Sequence, residues 1–257
     1  MGPISSDKDK TGFVLSGGGA RGFAHLGVLQ ALDEMKIRID YLSGVSAGAI
    51  AAVFYASGYS PLQILDIFLE KNYLKYFKIS VPNKGFVKNI ALYKLLIEKL
   101  PSNIEDLQIP TTITVSNLNT GKAEYHTSGP LARMVLASTS IPIIFQPVLM
   151  KNVSYVDGGL INNLPIEPIL KKCKTIIASH VNPLVEIPAP DSIFKVMERC
   201  FHLAINDNTM QKKKKCTVYI EPERLHKFKI FDFNKAPQLF DIGYEAAVQA
   251  LKKYLNG

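Results

Sequence analysis

The chain has 257 residues, enough for one large α/β domain or two small ones. Hydrophobic residues make up 47% and charged residues 20%, a balance that excludes a disordered chain and supplies a full apolar core. Its 30 Lys and Arg against 22 Asp and Glu leave a net charge of +8, which favours an anionic partner such as a phospholipid surface or nucleic acid; Lys212 to Lys215 also read as a solvated loop or helix end.

Three cysteines, Cys173, Cys200 and Cys216, are odd in number and far apart. They match neither a disulfide framework nor the close pairs of a zinc site, and point to a reducing, cytoplasmic compartment. The longest nearly apolar stretch, residues 47–56, is shorter than the roughly 18 residues of a membrane span. No basic start followed by an apolar block opens the chain.

Residues 1–11 read as a polar tail. Gly12 to Ser16 is a short apolar run suited to a buried strand, and Gly17 to Gly22 follows at once. Phe23, Leu26, Leu29, Leu32 and Met35 then recur at helical spacing. Ile37 to Leu42 predicts a second strand, Ser43 to Gly48 a glycine turn, and Ala49 to Ala56 a helix with Gly58 at its C-cap. Ser60, Pro61 and Gln63 combine a capping serine, a first-turn proline and a capping-box glutamine, opening a helix through Leu69. Residues 71–110 are aromatic and basic, with a loop near Val81 to Gly85 and a helix from about Ala91 to Leu100. They read either as a cover over a site or as an ordinary helical excursion.

Thr111 to Ser116 and Lys122 to His126 flank a turn as a hairpin, and Pro130 opens a helix carrying Met134, Val135 and Ala137. Val148 to Met150 and Ser154 to Val156 form a second hairpin that ends at Asp157-Gly158-Gly159. Thr175 to Ser179 and Thr217 to Ile220 read as strands, Asp191 to Asn206 as a helix, and Ile242 to Leu255 as an amphipathic C-terminal helix. With no repeat and no Gly/Ser linker, residues 12–257 read as one domain.

Gly17, Gly19 and Gly22 satisfy G-x-G-x-x-G after a strand and before a helix, with Asp40 18 residues beyond Gly22. That suits a dinucleotide, and the same row of backbone N–H groups at a helix N-terminus suits an oxyanion. A Walker-type loop is excluded, because Arg21-Gly22 stands where Lys followed by Ser or Thr would fall. Gly44-Val45-Ser46-Ala47-Gly48 is a G-x-S-x-G on a strand-to-helix turn, the arrangement that exposes a nucleophilic hydroxyl. A serine needs a base. Asp157 with His180, His202 or His226 would complete a triad, but none of these histidines sits in a motif.

Taken together, Gly17-Gly18-Gly19-Ala20-Arg21-Gly22, Gly44-Val45-Ser46-Ala47-Gly48 and Asp157-Gly158-Gly159 resemble the patatin-like phospholipase family. Ala137 to Pro142 and Gly159 to Pro165 are similar to it as well, so the resemblance covers roughly residues 12–180. It implies an α/β fold, a three-layer α/β/α sandwich with a central mixed, mostly parallel sheet. It also implies a Ser-Asp dyad in place of a triad, with Ser46 as nucleophile and Asp157 as base. Gly17, Gly18, Gly19, Arg21 and Gly22 would form the oxyanion hole, and Gly44, Gly48, Gly158 and Gly159 would support the motifs. Arg21 has three readings: pairing with a carboxylate, holding the loop open, or contacting substrate phosphate. The expected activity is hydrolysis of a lipid acyl ester, with no cofactor, no metal and no nucleic acid, at an anionic membrane surface. Two rival readings are a nucleotide-binding protein using Gly17, Gly19, Gly22 and Asp40, and a patatin-fold scaffold without activity.

Overall fold

The β-branched and apolar runs pair into an eight-stranded mixed sheet: β1 (Thr11–Leu15), β2 (Tyr41–Val45), β3 (Thr111–Asn117), β4 (Lys122–His126), β5 (Val148–Met150), β6 (Val153–Asp157), β7 (Thr175–Ser179) and β8 (Val218–Ile220). The computed structural model describes residues 10–70, 89–142, 144–186, 189–193, 196, 199–200, 203, 209 and 211–256. Strands β3, β2, β1, β7 and β8 run parallel in that order, while β4, β5 and β6 pair antiparallel. Burial on both faces is why β1 reads as a short apolar run rather than as alternation.

The registers on β3 decide where the chain's chemistry falls. Strand β2 pairs with Thr111 to Thr114, β6 with Val115 to Asn117, and β4 with Ile113 to Asn117. A residue in a sheet has only two edges, and β4 overlaps both other partners. Strands β2 and β6 therefore share one edge of β3 and meet there end to end, β2 arriving at Val45 opposite Thr114 and β6 at Asp157 opposite Val115.

Helices α1 (Phe23–Glu34), α2 (Ala47–Ala56), α3 (Pro61–Leu69), α4 (Ile90–Lys99), α5 (Leu131–Ser138) and α6 (Ala236–Leu255) accompany the sheet, and the described residues 193, 196, 199–200, 203, 209 and 211–213 are helical as well. One face of the sheet turns Phe13, Leu15, Leu42, Ile113 and Ile177 into the main core, to which helices α1 to α6 all contribute. The other face turns Val14, Ile176 and Ala178 toward Leu164, Ile166 and Ile169. The backbones of α1 and α6 touch at Gly27 and Gly243, where a Cβ would collide with the carbonyls of Phe240 and Ala24. The capping box at Ser60 is formed in both directions, Gln63 N donating to Ser60 Oγ and Ser60 N to Gln63 Oε1.

Most boundaries shift from the sequence pattern by a residue or so, and three differ by more. The second strand is Tyr41–Val45 rather than residues 37–42, because pairing with β1 begins at Gly12 opposite Tyr41 and leaves Ile37 to Asp40 as the connection. The helix after it begins at Ala47 rather than Ala49, so the turn between them is the single residue Ser46. The last helix begins at Ala236, with Pro237 in its first turn, well before the amphipathic pattern becomes clear at Ile242. The loop expected at Val81 to Gly85 lies outside the described residues, as does most of the helix expected over 191–206.

Phe54, fully buried on α2, meets the rings of Phe68 and Tyr59 at centroid distances of 5.6 Å and so fixes α3 against α2. Phe54→Ala is expected to cost about 3–5 kcal/mol, read as a lower midpoint in denaturant unfolding.

Candidate active site

Strands β1 and β2 end side by side, and both open directly into glycine-bounded turns. After Val45 the chain has one residue, Ser46, in which to turn from strand to helix. It does so at φ 53°, ψ −124°, a left-handed backbone that strains any residue with a Cβ. Gly44 and Gly48 lie inside β2 and α2, and a Cβ on Gly48 would come within 2.5 Å of Ser16 O. The turned backbone is held from α5: Ser46 N donates to Ser138 Oγ at 2.8 Å, and Ser138 Oγ donates to Thr114 O at 2.7 Å.

Asp157 reaches the same point from the end of β6. Ser46 Oγ donates to Asp157 Oδ2 at 2.7 Å, Gly159 N donates to Oδ1 at 2.8 Å, and Asp157 N donates to Ser140 O at 2.9 Å. The carboxyl is 3% exposed, and burial pushes its pKa up to about 7 although both hydrogen bonds pull the other way. A carboxylate so placed can take a proton near neutral pH, which an aspartate in water cannot do. Gly158 and Gly159 open the short 3-10 turn that follows it.

The glycine loop lies against Ser46. Gly17 N donates to Asn163 Oδ1 at 3.1 Å, Ala20 N to Ile230 O at 2.8 Å and Arg21 N to Gly18 O at 3.2 Å. The amides of Gly18 and Gly19 have no acceptor among the described residues. Gly22 closes the 3-10 turn that leads into α1. Buried Arg21 donates from Nε to Phe228 O at 2.8 Å and from Nη1 to Asn182 Oδ1 at 3.4 Å, a geometry that braces the loop against its flanking segments.

Ser46, Gly19 and Gly22 line a cavity of about 760 Å³, its open mouth included, with an apolar wall that includes Leu26, Ile64 and Phe68. No titratable side chain lines it among the described residues.

The triad histidines fall elsewhere. His180 Nδ1 pairs with Glu221 at 2.7 Å and its ring stacks on Tyr219, while exposed His226 bonds Glu223 O through Nδ1. His202 lies outside the described residues. The dinucleotide reading loses its acid: Asp40 precedes β2, where it accepts from Thr11 N and pairs with Arg38, at the opposite end of the sheet from Gly17 to Gly22.

Several supporting residues carry no signal of their own in the sequence. Ser138, Ser140 and Asn163 belong to the matched blocks, but only the folded chain shows that they tie Ser46, Asp157 and Gly17 in place. Asn163 Nδ2 is buried with no partner among the described residues. His25 joins the ends of β1 and β7, with Nε2 at 2.8 Å from Ser16 O and Nδ1 at 2.8 Å from Ser179 Oγ. Burial lowers its pKa to about 4, so the ring is neutral near pH 7, with Nε2–H donating to the carbonyl and Nδ1 accepting from the hydroxyl.

The family model described as patatin-like phospholipase matches residues 13–170. The lysophospholipase nte1 of Emericella nidulans is 25% identical over 280 residues, covering 94% of this chain and 18% of the relative. The lysophospholipase NTE1 of Kluyveromyces lactis is 26% identical over 276 residues, covering 91% of this chain and again 18% of the relative. The chain thus spans about a fifth of the length of these curated relatives. Among solved structures, VipD from Legionella pneumophila aligns with a TM-score of 0.49 at 16% identity, over 91% of this chain and 67% of that one.

The raised Asp157 pKa has a consequence for stability. The folded carboxyl keeps its proton up to about pH 7, whereas an unfolded aspartate loses it near 3.8. The burial penalty is therefore absent in acid and grows as pH rises toward 7. Asp157→Asn is expected to melt above the wild type at about pH 8 and close to it at about pH 4. Ser138→Ala strands the buried Ser46 amide and is expected to cost about 1–3 kcal/mol at either pH, measured by thermal or denaturant unfolding.

Proposed function

The chain belongs to the patatin-like phospholipase family, and from that premise we propose that it is a serine lipid acyl hydrolase working through Ser46 and Asp157. The observation that carries the reading is the 2.7 Å hydrogen bond from the Ser46 hydroxyl to a buried carboxylate beside an apolar cavity. Relatives named lysophospholipases support a fatty acyl ester of a phospholipid or lysophospholipid as substrate. The sheet runs from Thr11 to Ile220 and α6 packs on α1, which supports residues 12–257 as one catalytic unit.

In this mechanism the acyl chain lies in the cavity with its ester carbonyl carbon against Ser46 Oγ. Asp157 Oδ2 takes the hydroxyl proton as Oγ attacks, and the carbonyl oxygen becomes an oxyanion. The Gly18 and Gly19 amides receive that charge, helped by the N-terminus of α2; one such donor is typically worth roughly 3–4 kcal/mol. Gly17, tethered to Asn163, and Arg21, tethered to residue 228, keep the donors aimed, and Gly22 carries the loop into α1. As the intermediate collapses, the ester C–O bond breaks and the Asp157 carboxyl returns its proton to the leaving alkoxide. Asp157 then removes a proton from water, which attacks the acyl-enzyme carbonyl, and the fatty acid leaves as Ser46 Oγ recovers its proton. A pKa near 7 lets one carboxyl serve as base and acid in turn.

A fluorophosphonate probe is expected to label Ser46, and Ser46→Ala to abolish the labelling. Ser46→Ala and Asp157→Asn are each expected to lower turnover of acyl esters by about a thousandfold or more. The wild-type kcat/KM is expected to rise with pH through about 7 as Asp157 ionises. Retained turnover in either folded variant would show that another residue carries the reaction. A lipid panel read by product mass spectrometry assigns the head group and chain.

A further inference from the structure

Residues 227–235 cross the glycine loop at the cavity. Phe228 O accepts from Arg21 Nε, Ile230 O accepts from Ala20 N, and Phe231 and Phe233 contribute their rings to the cavity wall. The stretch reads Lys227, Phe228, Lys229, Ile230, Phe231, Asp232, Phe233, Asn234, Lys235. All three phenylalanines are half-buried, while Lys227, Lys229 and Lys235 are exposed. Asp232 Oδ2 accepts from Lys229 N, folding the strap on itself and leaving its lysines outside. A short segment thus presents apolar rings to the cavity and cations to solvent.

The rest of the basic charge includes a second cluster far from the site. Lys171 and Lys172 precede β7, and Lys213, Lys214 and Lys215 precede β8, all exposed. These are the N-terminal ends of parallel strands, whereas Gly17 and Ser46 follow the C-terminal ends of β1 and β2. A protein held on a bilayer by this second cluster would turn its cavity toward water.

We propose that residues 227–235 are the edge by which this protein sits on an anionic phospholipid surface, with the cavity facing the bilayer. The inference rests on the lipid hydrolase reading and names the interface from which that site is fed. Lysine stems lie along apolar surface while their ammonium groups reach lipid phosphates, and aromatic rings settle at the boundary between head groups and acyl chains. An acyl chain leaving the bilayer then passes Phe231 and Phe233 toward Ser46 without crossing water.

The test compares two charge reversals of equal size. Lys227→Glu/Lys229→Glu/Lys235→Glu changes the strap; Lys171→Glu/Lys172→Glu/Lys214→Glu changes the opposite end. Each is sedimented with vesicles of phosphatidylcholine containing a minority of phosphatidylserine, and each is melted to verify folding. The strap variant is expected to lose about tenfold or more in vesicle partitioning, and the opposite-end variant to stay within about twofold. Wild-type binding is expected to weaken as salt is added. If the strap reversal does not fold, the corresponding alanine triple is used, with a loss in the same direction expected. Wild-type binding by the folded strap variant, or equal losses in both variants, overturns the proposal. Because binding is read without turnover, a wild type that binds vesicles but hydrolyses no acyl ester overturns the hydrolase reading instead.

Discussion

Each residue of β3 can pair with one neighbour on each side, and three strands compete for its seven residues. Strand β4 occupies one side, so β2 and β6 must divide the other, and they meet at the step from Thr114 to Val115. That step is where a hydroxyl and a carboxyl 111 positions apart come within 2.7 Å. Thr114 O also accepts from Ser138 Oγ, whose acceptor side holds the Ser46 amide. Placement of Ser46, of Asp157 and of the helix that braces them thus follows from one shared strand edge.

What is assembled there is unfavourable in isolation. Ser46 sits in a left-handed backbone, and Asp157 is a buried carboxyl whose ionised form has no cation among its hydrogen-bond partners. Such features persist only where the surroundings over-determine them. Here Ser138 holds the amide of Ser46, Ser140 O holds the amide of Asp157, and Asn163 holds that of Gly17. Each limb of the site is tied by a polar group from another element. The strain and the buried carboxyl both cost stability, which the rest of the fold offsets.

The apolar cavity and the layout of charge extend this logic outward. Helices α1, α2, α3 and α4 all contribute to the cavity wall, so the main hydrophobic core continues into the space beside Ser46. The strap at residues 227–235 joins that wall to the glycine loop and carries cations on its outer side. The sum of +8 says nothing about direction. Two of its exposed clusters, on the strap and at the opposite ends of β7 and β8, lie on different sides of the site.

Local order was legible in the residues themselves. The capping box at Ser60 and Gln63, the hairpins at Asn117 to Gly121 and at Lys151-Asn152, and the turn at Ser46 all follow from interactions spanning a few residues. Such signals travel with the sequence. The start of β2 did not, because Ile37 and Ile39 satisfy a strand pattern as well as Tyr41 to Val45 do, and only the register with β1 separates them. The bracing by Ser138 and Asn163 did not either, since serine and asparagine acquire those roles from partners 92 and 146 positions away. By itself the sequence determined the motifs, most of the elements and the pairing of chemical types, a serine at a forced turn and an aspartate at a strand end. Only the tertiary structure decided which groups meet and which are buried together, because those depend on strand edges and burial, which no local pattern encodes.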